Sequence, residues 1–291
     1  MKSAKRTILW ILIISVVLLG VVVGFVIRWV MNQHDDTVYV GAYEQYIANR
    51  PSSYFMHSVL DSDIVVKIKP DADSDAVQVP LNVDMTYDAD IWSDSEHGRM
   101  DMTMKFLTQT HEYKSELYVV PGEDNEYTSY VRVVSAEHGG EVSEWVVTDD
   151  NMAVVPHNDL VQRSLFERGV ATGDDNYHYI TGDSSYLLDL LRCRDILTTI
   201  LGDFIEEGEV TDEAFNTAIG SAKVTYQFDK DYHLVKIIID DFSYWTENVT
   251  IVLTWTLEFS DFGEVTADDV GVPNDVRESA KDMPNVNLFG D

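Results

Sequence analysis

A single cysteine, Cys193, occurs in 291 residues. An intrachain disulfide framework is therefore excluded, and so is a metal site built from several thiolates. Positive charge is scarce as well: 20 Lys and Arg stand against 51 Asp and Glu, a formal net charge of −31. A surface of that sign repels nucleic acid and anionic headgroups, and at the least it keeps the chain in solution. Catalytic signatures are also lacking. There is no glycine-rich phosphate loop, no GxSxG elbow and no HExxH, and "HEYKSE" from His111 shares only its first two letters with the last. His57, His111, His178 and His233 sit in strand-like or strand-edge patterns, where hydrogen-bonded or solvated imidazole is the expected state. The sequence thus predicts no catalytic residue, no metal and no cofactor.

Two acidic or polar patterns resemble sites and fail on inspection. "DADSDAVQVPLN" puts Asp71, Asp73 and Asp75 at alternate positions of a calcium loop, but Ala76 replaces the turn glycine and Asn82 the closing glutamate. Asn248-Val249-Thr250 is a glycosylation sequon that matters only in a host that modifies such sites.

What is present begins with an apolar run. Ile8 to Ile27 contains no charge or proline, and at 1.5 Å per residue it covers about 30 Å, the thickness of a bilayer core. No small-x-small cleavage pattern follows it. Lys2, Lys5 and Arg6 precede the run and Asp35 and Asp36 follow it, which leaves the N-terminus cytoplasmic by the positive-inside rule. Gly20 and Gly24 form a small-xxx-small pair. These features predict a cytoplasmic stretch (1–7), a transmembrane anchor (8–31), a juxtamembrane linker (32–39), an extracytoplasmic domain (40–282) and a tail (283–291). The bilayer is then a partner and the cell membrane the location. With Lys2, Lys5, Arg6 and Arg28 set aside from the 20 basic residues, the exterior carries 16 against 51 acids, or −35.

The rest of the chain alternates with the period of a sheet. In "LNVDMTYDADIW", Leu81, Val83, Met85 and Tyr87 alternate with polar residues. "RMDMTMKF" repeats this with Met100, Met102, Met104 and Phe106. In "VTIVLTWTLEF" the inward set is Val249, Ile251, Leu253, Trp255, Leu257 and Phe259, and its length suggests a strand that curls over a core. Asp229-Lys230-Asp231 and Gly122-Glu123-Asp124-Asn125 read as hairpin turns. Helices are few. One is expected in "VYVGAYEQYIANR", ending before Pro51, and one in "NDLVQRSLFERG", with Asn158 as N-cap and Gly169 as stop. A third carries Tyr186, Leu190, Cys193, Leu197, Ile200, Leu201 and Phe204 at helical spacing, which makes Cys193 a buried thiol. A short turn starts at Thr211. The predicted class is α+β, with helices segregated onto one sheet face.

The closing stretch, from "AKVTYQF" through "FSDFG" to "VGVPNDVRESAK", resembles the end of bacterial extracytoplasmic proteins of the LolA/LppX-like superfamily. The resemblance is specific over the last 60 or so residues and extends in layout over about residues 40–282. It implies a strongly curved antiparallel sheet, a half-barrel whose concave side is covered by helices and holds acyl chains. It implies no catalytic residues. The chain departs from that pattern in having an apolar span instead of a lipidated cysteine. Met100, Met102 and Met104 on one strand, with Leu190, Leu197 and Leu201 on the helix, are the candidate lining of an apolar cavity, since methionine adapts to irregular shapes. The expected function is an anchored, non-catalytic binding protein for a lipid or other hydrophobic ligand. The alternative is an envelope protein-interaction or assembly module with a packed core.

Overall fold

The structure is a computed structural model, and it describes residues 41–68, 77–122, 126–135, 144–149, 152, 160–183, 185–190, 222–245 and 249–282. The expected helix around Cys193 beyond Leu190, the turn at Thr211, the acidic loop at 71–75 and the tail at 283–291 lie outside these residues.

The described strands are β1 (Ser53–Ile68), β2 (Val77–Trp92), β3 (Ser95–Phe106), β4 (Gln109–Pro121), β5 (Tyr127–Ser135), β6 (Val146–Thr148), β7 (Val170–Gly173), β8 (His178–Asp183), β9 (Lys223–Phe228), β10 (Leu234–Trp245), β11 (Val249–Ser260) and β12 (Lys281–Asp282). The helices are α1 (41–49), α2 (Arg163–Arg168), α3 (Ser185–Leu190) and α4 (Asn274–Ser279). All the strands join one sheet in the order β12-β6-β5-β4-β3-β2-β1-β11-β10-β9-β8-β7. Every neighbouring pair is antiparallel except β12 with β6.

Period-two patterning makes these strands and faces them inward. Val79 through Ile91 in β2 and Val249 through Phe259 in β11 bury every second side chain. β1 lies between them and contributes Met56, Leu60, Ile64 and Val66 together with two serines, Ser58 and Ser62, on the same face. Ser58 is small enough to sit beside Trp255 and accepts its indole N–H at 2.7 Å, so the buried donor is satisfied. In β10 a bulge between Ile239 and Phe242 switches the inward parity, and Ile237 and Ile239 are followed by Phe242 and Tyr244.

The inner face is covered by α1, α2 and α3 through Ala42, Tyr46, Leu165, Phe166, Leu187 and Leu188. Aromatic rings lock this layer: Tyr43 meets Phe166 edge-on at 5.5 Å, Phe166 meets Phe228 at 5.4 Å and Tyr46 meets Phe228 at 5.8 Å. The α2 segment is shorter than its sequence pattern. Gln162 stands at the N-cap and gives no side-chain cap, while Leu160 and Val161 are buried ahead of the helix. The expected cap, Asn158, lies outside the described residues.

After β11 the chain turns at Asp261 and Gly263, both with positive φ (52° and 78°), and the Gly263 N–H donates to the Ser53 carbonyl at 2.9 Å. Residues 264–282 then return to β6, on the far side of β1 to β5. At about 4.8 Å per strand that is a crossing of roughly 29 Å. This strap buries Val265, Val270, Val272 and Val276.

Two expectations are corrected by this architecture. The sheet is mixed, open, and neither closed nor strongly curved, so the half-barrel does not form. Closure would require the end strands to pair, and here β12 and β7 are opposite edges. The pairs from β1 to β5 keep continuous register, without the bulges that bend a sheet sharply. The transmembrane anchor is the second correction. Among the described residues no helix is long and apolar enough to cross a membrane. The α1 segment, 41–49, covers about 13 Å, less than half of a bilayer core. The span expected at 8–31 lies outside the described residues. Single-pass topology, a cytoplasmic N-terminus and the bilayer as partner have no described element behind them and are withdrawn.

Candidate functional site

Most strands of the sheet are covered on one face. At the start of β3 and the end of β4 both faces are covered: Glu96, His97 and Gly98 are consecutive buried residues, and they pair with Val119, Tyr118 and Leu117, also consecutive and buried. On the inner side Leu117 and Val119 pack with Tyr127, Val131 and Met152, and on the outer side Tyr118 packs with Val272 and Val276 of the strap.

On the inner side Glu96 is fully buried and accepts a hydrogen bond from the Tyr87 phenol. Burial pushes its carboxyl up to about 7, and the bond from Tyr87 only partly opposes this. The same burial, with Glu96 nearby, drives the Tyr87 and Tyr54 phenols well above their ordinary values. The contact depends on Gly98. A Cβ there would stand 1.9 Å from the Tyr87 hydroxyl oxygen, so only glycine lets the ring reach across to Glu96.

On the outer side His97 Nε2 lies 3.1 Å from Glu116 Oε1, and Arg132 Nη2 donates to Glu116 Oε2. Burial alone would raise the Glu116 carboxyl, but the bonds from His97 and Arg132 outweigh it and hold it below its ordinary value. The His97 ring stacks on Tyr118 at 4.2 Å, Tyr118 meets Trp145 at 5.6 Å, and the Arg132 guanidinium lies 4.7 Å from the Trp145 ring centre. Val272 and Val276 of the strap complete the cluster with Tyr118 and Trp145. Asp90, on the same face, has its carboxyl raised chiefly by burial. His97 and Arg99 oppose that shift, while Asp269 of the strap and Asp261 of the turn before it add to it.

Asp229, Asp231 and His233, at the β9–β10 turn, bring one metal-ligand atom each within 4.8 Å of one another. The turn already uses the Asp229 carboxylate and the His233 ring. Asp229 Oδ1 accepts the backbone N–H groups of Asp231 and His233 at 2.9 and 2.8 Å, and Oδ2 faces His233 Nδ1 at 2.8 Å. This is an Asx turn closing a hairpin.

Met100, Met102 and Met104 are half-buried on β3 and pack against the inner core. Leu190 ends α3, while Leu197 and Leu201 lie outside the described residues. The structure thus brings the three methionines into one row without showing them beside the three leucines. Two cavities are described. One, of about 30 Å³, is bounded by residues including Tyr46, Tyr54 and Phe259; the other, of about 230 Å³, by residues including Thr172, His178 and Tyr232. No candidate methionine lines either, and both fall below the 300–1,000 Å³ or so of a ligand pocket. The expectation of a lipid carrier is corrected on this ground: side chains fill the space between sheet and helices where acyl chains would lie.

The sequence reading set Tyr87 in the inward row of its strand but missed Glu96 as its partner, although parity held the signal. Glu96, Gly98, Met100, Met102 and Met104 share one face of β3, so a strand that faces its methionines inward must bury Glu96 too. The union of His97, Glu116 and Arg132 joins three strands and has no local signature.

No family model matches the chain, and no curated protein matches it. Among solved structures, a DUF1329 family protein from Desulfovibrio piger aligns over 83% of this chain and 98% of its own, at 7% identity and a TM-score of 0.23. A likeness at that level carries no argument about fold or function.

Proposed function

We propose that this chain is a non-catalytic protein-interaction or assembly module with a packed core. The observation that carries the reading is the filling of the inner face by α1, α2 and α3. A domain packed in this way offers its surface to partners. Glu96, whose proton affinity lies near neutrality, is sealed in that core and lines neither cavity, which speaks for a structural role. On the outer face, Trp245 is 74% exposed and Val252, on the adjoining strand, 48%. Exposed tryptophan is costly to display and frequent at interface hot spots. Kinship with the LolA/LppX-like superfamily belongs to the same proposal and rests on "FSDFG", at the exit of β11, and "VGVPNDV", in the strap.

A photocrosslinking amino acid at position 245 of the intact chain, expressed in its host, tests the reading. Discrete, reproducible protein adducts are expected. A chain that yields no adduct and co-purifies with stoichiometric lipid in native mass spectrometry overturns it.

A further inference from the structure

The outer aromatic cluster is small, and its lid is the chain's own C-terminal strap. Tyr118 and Trp145 form the floor, with Val120 and Tyr130 beside them, and Val272, Val276 and Ala280 are inserted from above. The strap ends by pairing Lys281 and Asp282 with Val146 and Val147, a two-rung parallel bridge. There the Lys281 N–H donates to the Trp145 carbonyl at 2.9 Å, and the Lys281 ammonium pairs with Glu144.

Two features make this closure weak. The cluster holds four buried apolar side chains among the described residues, against 34 in the inner core, and local opening free energy follows such packing. Parallel pairing is the less stable kind and here spans two residues. The strap leaves the sheet through two left-handed residues, Asp261 and Gly263, which serve as its pivot.

We infer that the outer groove floored by Tyr118 and Trp145 and edged by β6 is a peptide-docking site that the strap occupies in cis. The fitting partner is a segment of the strap's chemistry: two β-branched residues four apart, then a lysine opening a short strand parallel to β6. This deepens the interaction-module reading and rests on it. Strand addition of this kind draws affinity from main-chain bonds and selectivity from the side-chain pockets.

The test uses the full chain and a labelled synthetic peptide of residues 264–282. Hydrogen exchange at Ala280 and Lys281 is expected to run at least about 100-fold faster than in β1 and β11, as for a locally opening unit. Exchange of strap and core at one common rate overturns the inference. The peptide is expected to bind the Val276→Asp variant at least about 10-fold more tightly than the wild type, whose groove is filled. A peptide carrying Val272→Asp and Val276→Asp is expected not to bind. Equal peptide binding to variant and wild type, with β1 and β11 still protected, overturns the proposal. Should Val276→Asp not fold, Lys281→Pro removes the bond to Trp145 and replaces it in the same comparison. Crosslinking at position 245 reports on the module independently, so loss of its adducts leaves the peptide result standing, and the reverse also holds.

Discussion

Glu96 and Glu116 lie on neighbouring strands, face opposite sides of one sheet, and have their carboxyl groups driven in opposite directions. Glu96 enters the larger core with a phenol for company, and desolvation favours its proton. Glu116 lies under the strap, where His97 and Arg132 supply enough hydrogen bonding to keep it ionised despite burial. A glutamate's charge in this protein is therefore set by what the opposite layer brings to it. The same contrast separates the two layers: the inner one is deep and apolar, while the outer one is thin, aromatic and charged.

The largest test of this contrast is Trp255→Ala. The indole is fully buried at the centre of the sheet and bonded to Ser58, so its removal is expected to cost about 3–5 kcal/mol. The urea midpoint should fall for the whole domain. A midpoint that stays put would show that the inner layer is not the cooperative unit.

The next effect is a pH dependence. Glu96 has a folded value of about 7 against an ordinary value of 4.5. Between these limits the folded state binds the extra proton, so this group's contribution to stability is fully present below about 4.5 and is lost as pH rises through about 7. The loss from this group is about 3 kcal/mol. Glu96→Gln should flatten the slope in unfolding curves taken from pH 5 to pH 8. An unchanged slope would assign it elsewhere. Glu116 acts with the opposite sign: its contribution is present above its ordinary value and is lost in acid.

Glu116→Gln removes the charge that Arg132 and His97 both address. An expected loss of about 1–3 kcal/mol follows from leaving part-buried donors to a neutral acceptor. The loss should be concentrated in hydrogen exchange of the strap and β6. A uniform loss across the sheet would erase the distinction between layers.

The smallest effect serves as a control belonging to neither layer. Leu107, in the β3–β4 hairpin, is 66% exposed and held at φ 55°. Leu107→Gly is expected to stabilise by about 1 kcal/mol, because glycine adopts the left-handed region without a Cβ clash. A thermal melt that moves downward would contradict the turn geometry.

Much of the layout was legible locally. The alternation in "LNVDMTYDADIW" and "VTIVLTWTLEF" became β2 and β11, and "VYVGAYEQYIANR" contains the helix at 41–49 ahead of Pro51. Parity broke at Asp240 and Asp241, where the β10 bulge turns Phe242 inward; reading the pattern as "HLVKIII" followed by "FSYW" would have revealed it. The outer site was not legible. Glu116 finds Arg132 and His97 only because β3, β4 and β5 are neighbours, and Trp145 finds Val276 only because the strap returns across the sheet.

Residue order alone determined the strand periods, the inward rows, the hairpins, the acidic surface and the impossibility of an internal disulfide, since each depends on composition or on spacing within a few residues. Only the tertiary structure decided that β1 would lie between β2 and β11, that the sheet would stay open, and that one end of the β3–β4 pair would be buried from both sides. Those outcomes depend on register and packing between segments up to some 200 residues apart, as Ser58 and Trp255 are. The competing arrangements share the same local pattern and differ only in the contacts that close last.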